Sequence, residues 1–470
     1  MPPRCTLRPS SAASASSSSG ALGADELAQA VQRHPQLAAQ IIAVRENPTM
    51  DKQRQMAQIV RLVRQAEQER LAFAQPQADE MSSLDAAQAA WRPTPEQRIA
   101  ATEAAREHST HVAAMESQRL RQPEGRVWSS FGGDMIEATM LEHVTLIDAR
   151  YLLALHARGG VVPRWQDVPA SARIDKSSVW RLYSWQRMFS LGILVLSYPW
   201  LDLDHPDAHG EQLALIAPIL RHMLLFCGGD AFTVGVLWDY CCLPQPARSP
   251  AEAARFRSGL ASLMAWYAHP YTHVLLLTTP LPSGASYTNS RPYCARGWCE
   301  VERRTCFVSK CVHCMWDMAG YQPDALAGLD GMHLYDALRT MLKTGREPPL
   351  TPPAFAKSLR QRVADGAIAF SNESDLDLVL EMYHRGFVSV FEQYRDFDAD
   401  GFFAAYAAME WGEREARQVA SALGYAAKHC KGKSAISVRL EGNQFGADGQ
   451  RAIERAIKGF AGRLFSGVVF

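Results

Sequence analysis

The chain has 470 residues, 47% apolar and 21% charged, which is enough apolar material for large buried cores and too much for a disordered polymer. Lysine plus arginine number 49 and aspartate plus glutamate 49, so the basic excess of a dedicated nucleic-acid binder is missing. The longest strongly apolar run, Leu191 to Leu201, falls well short of the roughly 20 residues that cross a bilayer, and ten cysteines without a secretory apolar region predict a reducing, cytoplasmic setting.

Residues 1–23 are Ser/Ala-rich with Arg4 and Arg8 and no acid, and read as a disordered tail. The same features suit an organellar transit peptide, and that alternative stays open. Residues 24–170 read as a helical region. Leu27 and Val31, then Leu37, Ile41 and Val44, then Met56, Ile59, Val60 and Val63 follow helical spacing, broken at Asn47-Pro48, which predicts a helical hairpin. Further helices are predicted from about Pro95 to Leu120 and from Met135 to His156, and Gly159 to Ala170 is a Gly- and Pro-punctuated loop.

Residues 180–320 are the densest part. Leu191–Ser197, Phe232–Trp238 and Thr272–Thr278 are continuous apolar runs of the kind that form parallel strands covered on both faces. Between them lie two helical segments, Glu211–Phe226 and Pro250–Tyr267, and another helix starts near Arg296. This alternation predicts an α/β fold with a doubly wound parallel sheet. Ligands of such sheets bind outside the carboxyl ends of the strands, here Ser197, Tyr198 and Trp200, then Asp239 and Tyr240, then Thr278 and Thr279. Neither a G-x-x-x-x-G-K-[ST] loop nor a G-x-G-x-x-G turn follows any of these runs, which disfavours ordinary nucleotide-binding chemistry.

Ile193 to Tyr198, Val236 to Asp239, and Tyr293 with Arg296-Gly297-Trp298-Cys299-Glu300-Val301-Glu302 together resemble the TIR-domain family. In that family a first strand ends in an aliphatic-Ser-aromatic box, a second ends in an acid, and a later helix opens with Trp-Cys-x-x-Glu. The resemblance spans about residues 188–315. It implies two outcomes, since some members are adaptors that work by self-association and others cleave the nicotinamide-ribose bond of NAD. For the enzyme it implies Glu302 as the catalytic carboxylate, with NAD as substrate and no separate cofactor. A carboxylate there would stabilise the oxocarbenium-like ribose, with Ser197, Tyr198, Trp200, Trp238, Asp239 and Trp298 lining the substrate site. Pro199 stands where the family usually has a basic residue, and Cys241 to Gln245 replaces its proline-glycine loop, so the interaction role is preferred. The plain structural alternative is that Glu300 and Glu302 followed by Arg303 and Arg304 suit the helix dipole, with Glu300 and Arg304 paired on the surface.

Other constellations are weaker. Cys311-x-x-Cys314 with Cys299 and Cys306 has zinc-ligand types but only one knuckle. Cys241-Cys242 could supply a nucleophilic thiol, with His205, His209 or His273 as base. Asp396-x-Asp-x-Asp-Gly401 opens like a calcium loop, but its twelfth position is Ala407, and it reads as a turn.

Residues 321–370 read as a linker with short helices, marked by Pro348, Pro349, Pro352 and Pro353. Residues 371–470 read as a helical segment followed by a short α/β tail. There Ser437 to Ile457 resembles one ribonuclease-inhibitor-type leucine-rich repeat, with Asn443 at the asparagine turn and a weaker copy 34 residues earlier. The predicted function is a TIR-like signalling or interaction module whose partners are proteins or copies of itself, with NAD cleavage as the alternative.

Overall fold

The computed structural model describes residues 36–45, 50–63, 85–118, 128–129, 131–182, 190–226, 232–282, 287–310, 312–372, 374–393, 402–403, 406–430, 436–458 and 465–470. The chain divides into two compact units, residues 1–81 and 82–470. In the first, helices at Gln36–Arg45 and 52–63 flank the Asn47-Pro48 break and bury Ile41, Val44, Ile59 and Val63. Met56, counted on the apolar stripe, is instead 41% exposed.

The second unit is built on a six-stranded sheet. Its strands are β1 (Leu146–Asp148), β2 (Arg173–Ile174), β3 (Ile193–Ser197), β4 (Gly235–Leu237), β5 (His273–Leu276) and β6 (Met315–Asp317), in the order β2-β1-β4-β3-β5-β6. β4, β3, β5 and β6 run parallel, while β1 is antiparallel to both β4 and β2. Every residue of β3, β4 and β5 is buried, as continuous apolar runs require when helices cover both faces.

The helices are α1 (Pro95–Gln118), α2 (Ala149–His156), α3 (Glu211–Phe226), α4 (Pro250–Ala268), α5 (Gly297–Ser309), α6 (Gly331–Leu342), α7 (Pro352–Ala364) and α8 (Asp375–Gln393). One group packs together as α1 on α2, α2 on α3 and α6 on α3; the other as α4, α5 and α8, with α7 on α8. From β3 the chain steps to β4 through α3, then returns past β3 to β5 through α4. Right-handed crossovers in opposite directions put α3 on one face and α4 and α5 on the other. The mostly parallel, helix-covered sheet is the α/β class read from the sequence.

Element ends follow local chemistry. Ser249 and Glu252 form a capping box around Pro250 at the start of α4, and Thr351 caps α7 ahead of Pro352. The helix predicted over Met135–His156 is not continuous. It divides into a π-helical turn at Ile136–Met140, strand β1 and helix α2, because Asp148 caps α2 through Arg150 N (2.9 Å) and Ile147 pairs with Val236 on the free edge of β4. Strands β2 and β6, both only two or three residues long, have no counterpart in the sequence reading.

A second, three-stranded parallel sheet, β7 (Phe402–Phe403), β8 (Ile436–Arg439) and β9 (Phe465–Val469), alternates with helices α9 (Glu413–His429) and α10 (Ala447–Lys458), which pack face to face. Asn443 joins the two βα units. Its Oδ1 accepts from Met409 N and Trp411 N, each at 3.1 Å, and its Nδ2 donates to Tyr406 O and Leu440 O, each at 2.8 Å. Tyr406 and Trp411 fasten this layer to the larger sheet's shell by donating to Val308 O and Arg346 O. The Asp396–Gly401 turn lies outside the described residues.

Candidate functional site at the carboxyl ends of the strands

β3 is where the crossovers reverse direction, so its carboxyl end is the place where an open α/β sheet has a crevice. Ser197 ends β3, and its hydroxyl donates to Glu302 Oε2 at 2.6 Å. Tyr293 Oη lies 2.7 Å from the same Ser197 oxygen and also donates to Cys299 O at 3.3 Å. From α4, Tyr267 donates to Leu196 O at 2.8 Å and its hydroxyl also contacts the Glu302 carboxyl.

Burial pushes the Glu302 carboxyl up to about 8. The Ser197 hydrogen bond opposes this, and the charge of Asp239 adds to it. The Tyr267 contact, like the Ser197 hydrogen bond, works against the rise, and burial with the Asp239 charge outweighs both.

A second carboxyl sits on the next strand end. Asp239 Oδ1 accepts from the Tyr198 hydroxyl and from Tyr240 N (2.7 Å), and Oδ2 from Trp200 Nε1 (3.3 Å). Burial raises its pKa and these donors work against the rise. Trp238 lies fully buried beneath, edge-on to Tyr198 with ring centres 5.5 Å apart. The fold therefore brings Glu302, Ser197, Tyr198, Trp200, Trp238 and Asp239 to one edge. Trp298 is used differently, since its indole N–H donates to Asp375 Oδ2 of α8 at 2.7 Å. Glu300 is no surface residue either: at 5% exposure it holds Arg303, Arg304 and Arg362 at 2.8–3.0 Å.

Neither a family model, nor a curated protein, nor a solved structure matches this chain. The geometry alone speaks for the site.

Sequence reasoning gave no role at this edge to Asp207, and it did not place His205 and Arg296 there as they stand. The loop after β3 is held by Asp207, whose carboxylate accepts from Gln212 N (3.0 Å) and Leu213 N (2.9 Å) at the start of α3. Burial nevertheless pushes it up to about 6. Asp207 N donates to His205 Nδ1 (2.9 Å), so the His205 proton sits on Nε2 and bonds Val162 O (3.0 Å). Burial drives the His205 pKa down to about 3. Arg296 spans the mouth, donating to Trp200 O, Asn289 O and Arg291 O. An Asp just ahead of an apolar-periodic helix is a capping signal, and it was the one available clue to Asp207.

Both carboxyls are thus satisfied by protein donors, and Glu302 is only 8% exposed. Two surface cavities, of about 640 and 450 Å³, open elsewhere, at Gly320, Asp336 and Met341 and at His143, Trp165 and Arg255. Among the described residues no group of three or more His, Cys, Asp or Glu is arranged to hold a metal; Cys311 lies outside them. Cys241 and Cys242 are buried, and burial raises the Cys241 thiol well above its ordinary range, the reverse of what an activated nucleophile needs.

Proposed function

We propose that this chain is a TIR-like signalling module that assembles with proteins or with copies of itself through its α/β domain, and that its strand-end residues serve as a rigid support for that surface. One observation carries this reading: the two strand-end carboxyls are closed over by their own neighbours, Glu302 by Ser197 and Tyr267 and Asp239 by Tyr198 and Trp200. The strand order β4-β3-β5-β6, with β3 first in the chain, agrees with the flavodoxin-like order of that family. The tail reads as two ribonuclease-inhibitor-type leucine-rich repeats, for which the Asn443 bonds between consecutive turns are the support. The test incubates wild type and Glu302→Ala with NAD, dilute and clustered on beads, beside light scattering over a concentration series. The expected result is no nicotinamide from either protein and a mass that rises with concentration. Nicotinamide released by wild type and abolished in Glu302→Ala overturns it.

That second outcome is the NAD nucleosidase reading, which a specific observation favours. A carboxyl whose pKa is lifted to about 8 at the reversal point of a parallel sheet is the kind of perturbed acid that active sites hold. In that role Glu302 must ionise to stabilise the ribosyl cation, so nicotinamide release would rise with pH through about 8.

A further inference from the structure

The carboxyl edge is crossed by a strap from the chain's own amino-terminal side. Residues 85–97 run over the loop that follows β3. They are anchored by Asp85 to Arg248 (3.6 Å) and by Gln97 Nε2 to Ala208 O (3.1 Å). Between these anchors the Trp91 ring lies 4.1 Å from the His205 ring at an angle of 34°. His205 is edge-on to Tyr240 (4.6 Å), and Tyr240 is edge-on to Trp200 (5.7 Å), whose N–H reaches Asp239. An aromatic stack thus continues from the strap to the strand-end carboxyl.

We propose that His205, Tyr240 and Trp200 form a subsite for a planar, polar-edged ring of nucleobase size, and that Trp91 is its intramolecular plug. Two features separate a plug from ordinary core packing. Trp91 is only half-buried and its indole N–H bonds no described residue, so no side-chain hydrogen bond fixes its ring in the stack. The subsite also carries unmet polar demand: the Tyr240 hydroxyl, on a residue with no exposure, has no hydrogen-bond partner among the described residues. A buried hydroxyl left this way calls for a partner. A nucleobase offers acceptors for the tyrosine hydroxyl, whereas an indole has one donor and no acceptor. Burial keeps His205 neutral and its Nδ1 accepts from Asp207 N, so it offers a flat uncharged face. Ring binding and strap closure compete for one surface, so the bound ligand releases residues 85–97. This goes beyond the assembly reading and does not depend on Glu302 acting on anything.

The test uses the full chain with AMP as probe and ribose 5-phosphate as the ringless control, read by titration calorimetry. Trp91→Ala should bind AMP about tenfold or more tighter than wild type, because the closed strap lowers apparent affinity by the fraction of open molecules. Trp91→Phe should fall between, and ribose 5-phosphate should bind no better to any of them. Adding His205→Ala to Trp91→Ala should remove the gain. Equal AMP affinity in wild type and Trp91→Ala, or an equal gain for ribose 5-phosphate, overturns the proposal. If Trp91→Ala fails to fold, hydrogen exchange on wild type decides. Saturating AMP should speed exchange at residues 85–94 and slow it at residues 198–210, and no change in either overturns the proposal. Nicotinamide release from NAD in separate samples reads the nucleosidase question independently.

Discussion

Glu302 shows how one side chain can have its spacing written in sequence and its chemistry written elsewhere. The Trp-Cys-x-x-Glu spacing put it on the first turns of a helix after the third strand, where it lies. Its neutrality comes from burial and from the charge of Asp239, which outweigh the opposing hydrogen bonds of Ser197 and Tyr267, all contributed by separate segments. With a folded pKa of about 8 against an ordinary 4.5, the folded chain holds a proton that the unfolded chain has lost across that window. The stability associated with this group is therefore complete below about 4.5 and is lost as pH rises through about 8. Glu302→Gln keeps the neutral shape, accepting from Ser197 and donating toward Tyr267. It should melt with wild type at pH 5 and be more stable by roughly 2–4 kcal/mol at pH 9, at about 1.4 kcal/mol per pKa unit. Melts that stay parallel across pH, or a less stable variant at pH 9, would show that the carboxyl is ionised in the fold.

Among the elements, the apolar run through Leu146-Ile147 reads as part of a helix in the sequence but is a strand, since a short apolar segment fits helix and strand alike. It became a strand because β4 presented an unpaired edge and because Asp148 starts a helix immediately after. The long runs at β3, β4 and β5 were legible because both faces are covered and no alternation was needed. In the tail the 34-residue offset in sequence reappears as α9 and α10, which start 34 residues apart at Glu413 and Ala447. Asn443 satisfies four backbone groups from two consecutive turns. Asn443→Ala should lower unfolding free energy by about 2–4 kcal/mol in urea melts and speed hydrogen exchange at residues 436–439, since buried backbone groups lose their partners at about 1–3 kcal/mol each. Asn443→Asp should restore only part of this, because it keeps the acceptor and loses both donors.

Across the whole second unit, the sheet and its helical shell are pinned by a buried ionic node. Asp148 lies 2.9 Å from the Arg181 guanidinium and 3.2 Å from His108 of α1, and it accepts from Thr233 at 2.5 Å. Burial works to raise the Asp148 pKa, but the His108 hydrogen bond, the charges of His108 and Arg181 and the Thr233 bond outweigh it and hold the group at about 2. Its stabilisation is therefore present above the ordinary carboxyl value of 3.8 and is lost as pH falls through about 2. Arg181→Ala leaves that carboxylate buried beside one partner fewer, and should cost about 3–5 kcal/mol by urea denaturation at pH 7. A loss under about 1 kcal/mol would mean that His108 and Thr233 carry the carboxylate without it. No helix among the described residues is long and apolar enough to cross a membrane.

The amino-acid sequence by itself determined the α/β class, the three apolar strands, the helix starts at Pro250 and near Arg296, and which residues end the strands. These are local matters of apolar runs, caps and proline, and they require no knowledge of what packs against them. Only the tertiary structure decided that β1 joins the sheet, that Trp298 turns to Asp375, and that Glu300 is buried among three arginines. It also decided that Trp91 reaches the strand ends from more than a hundred residues away. Each of these depends on a partner distant in the chain, and the stability or chemistry of a buried polar group is set by whichever donors the fold delivers to it.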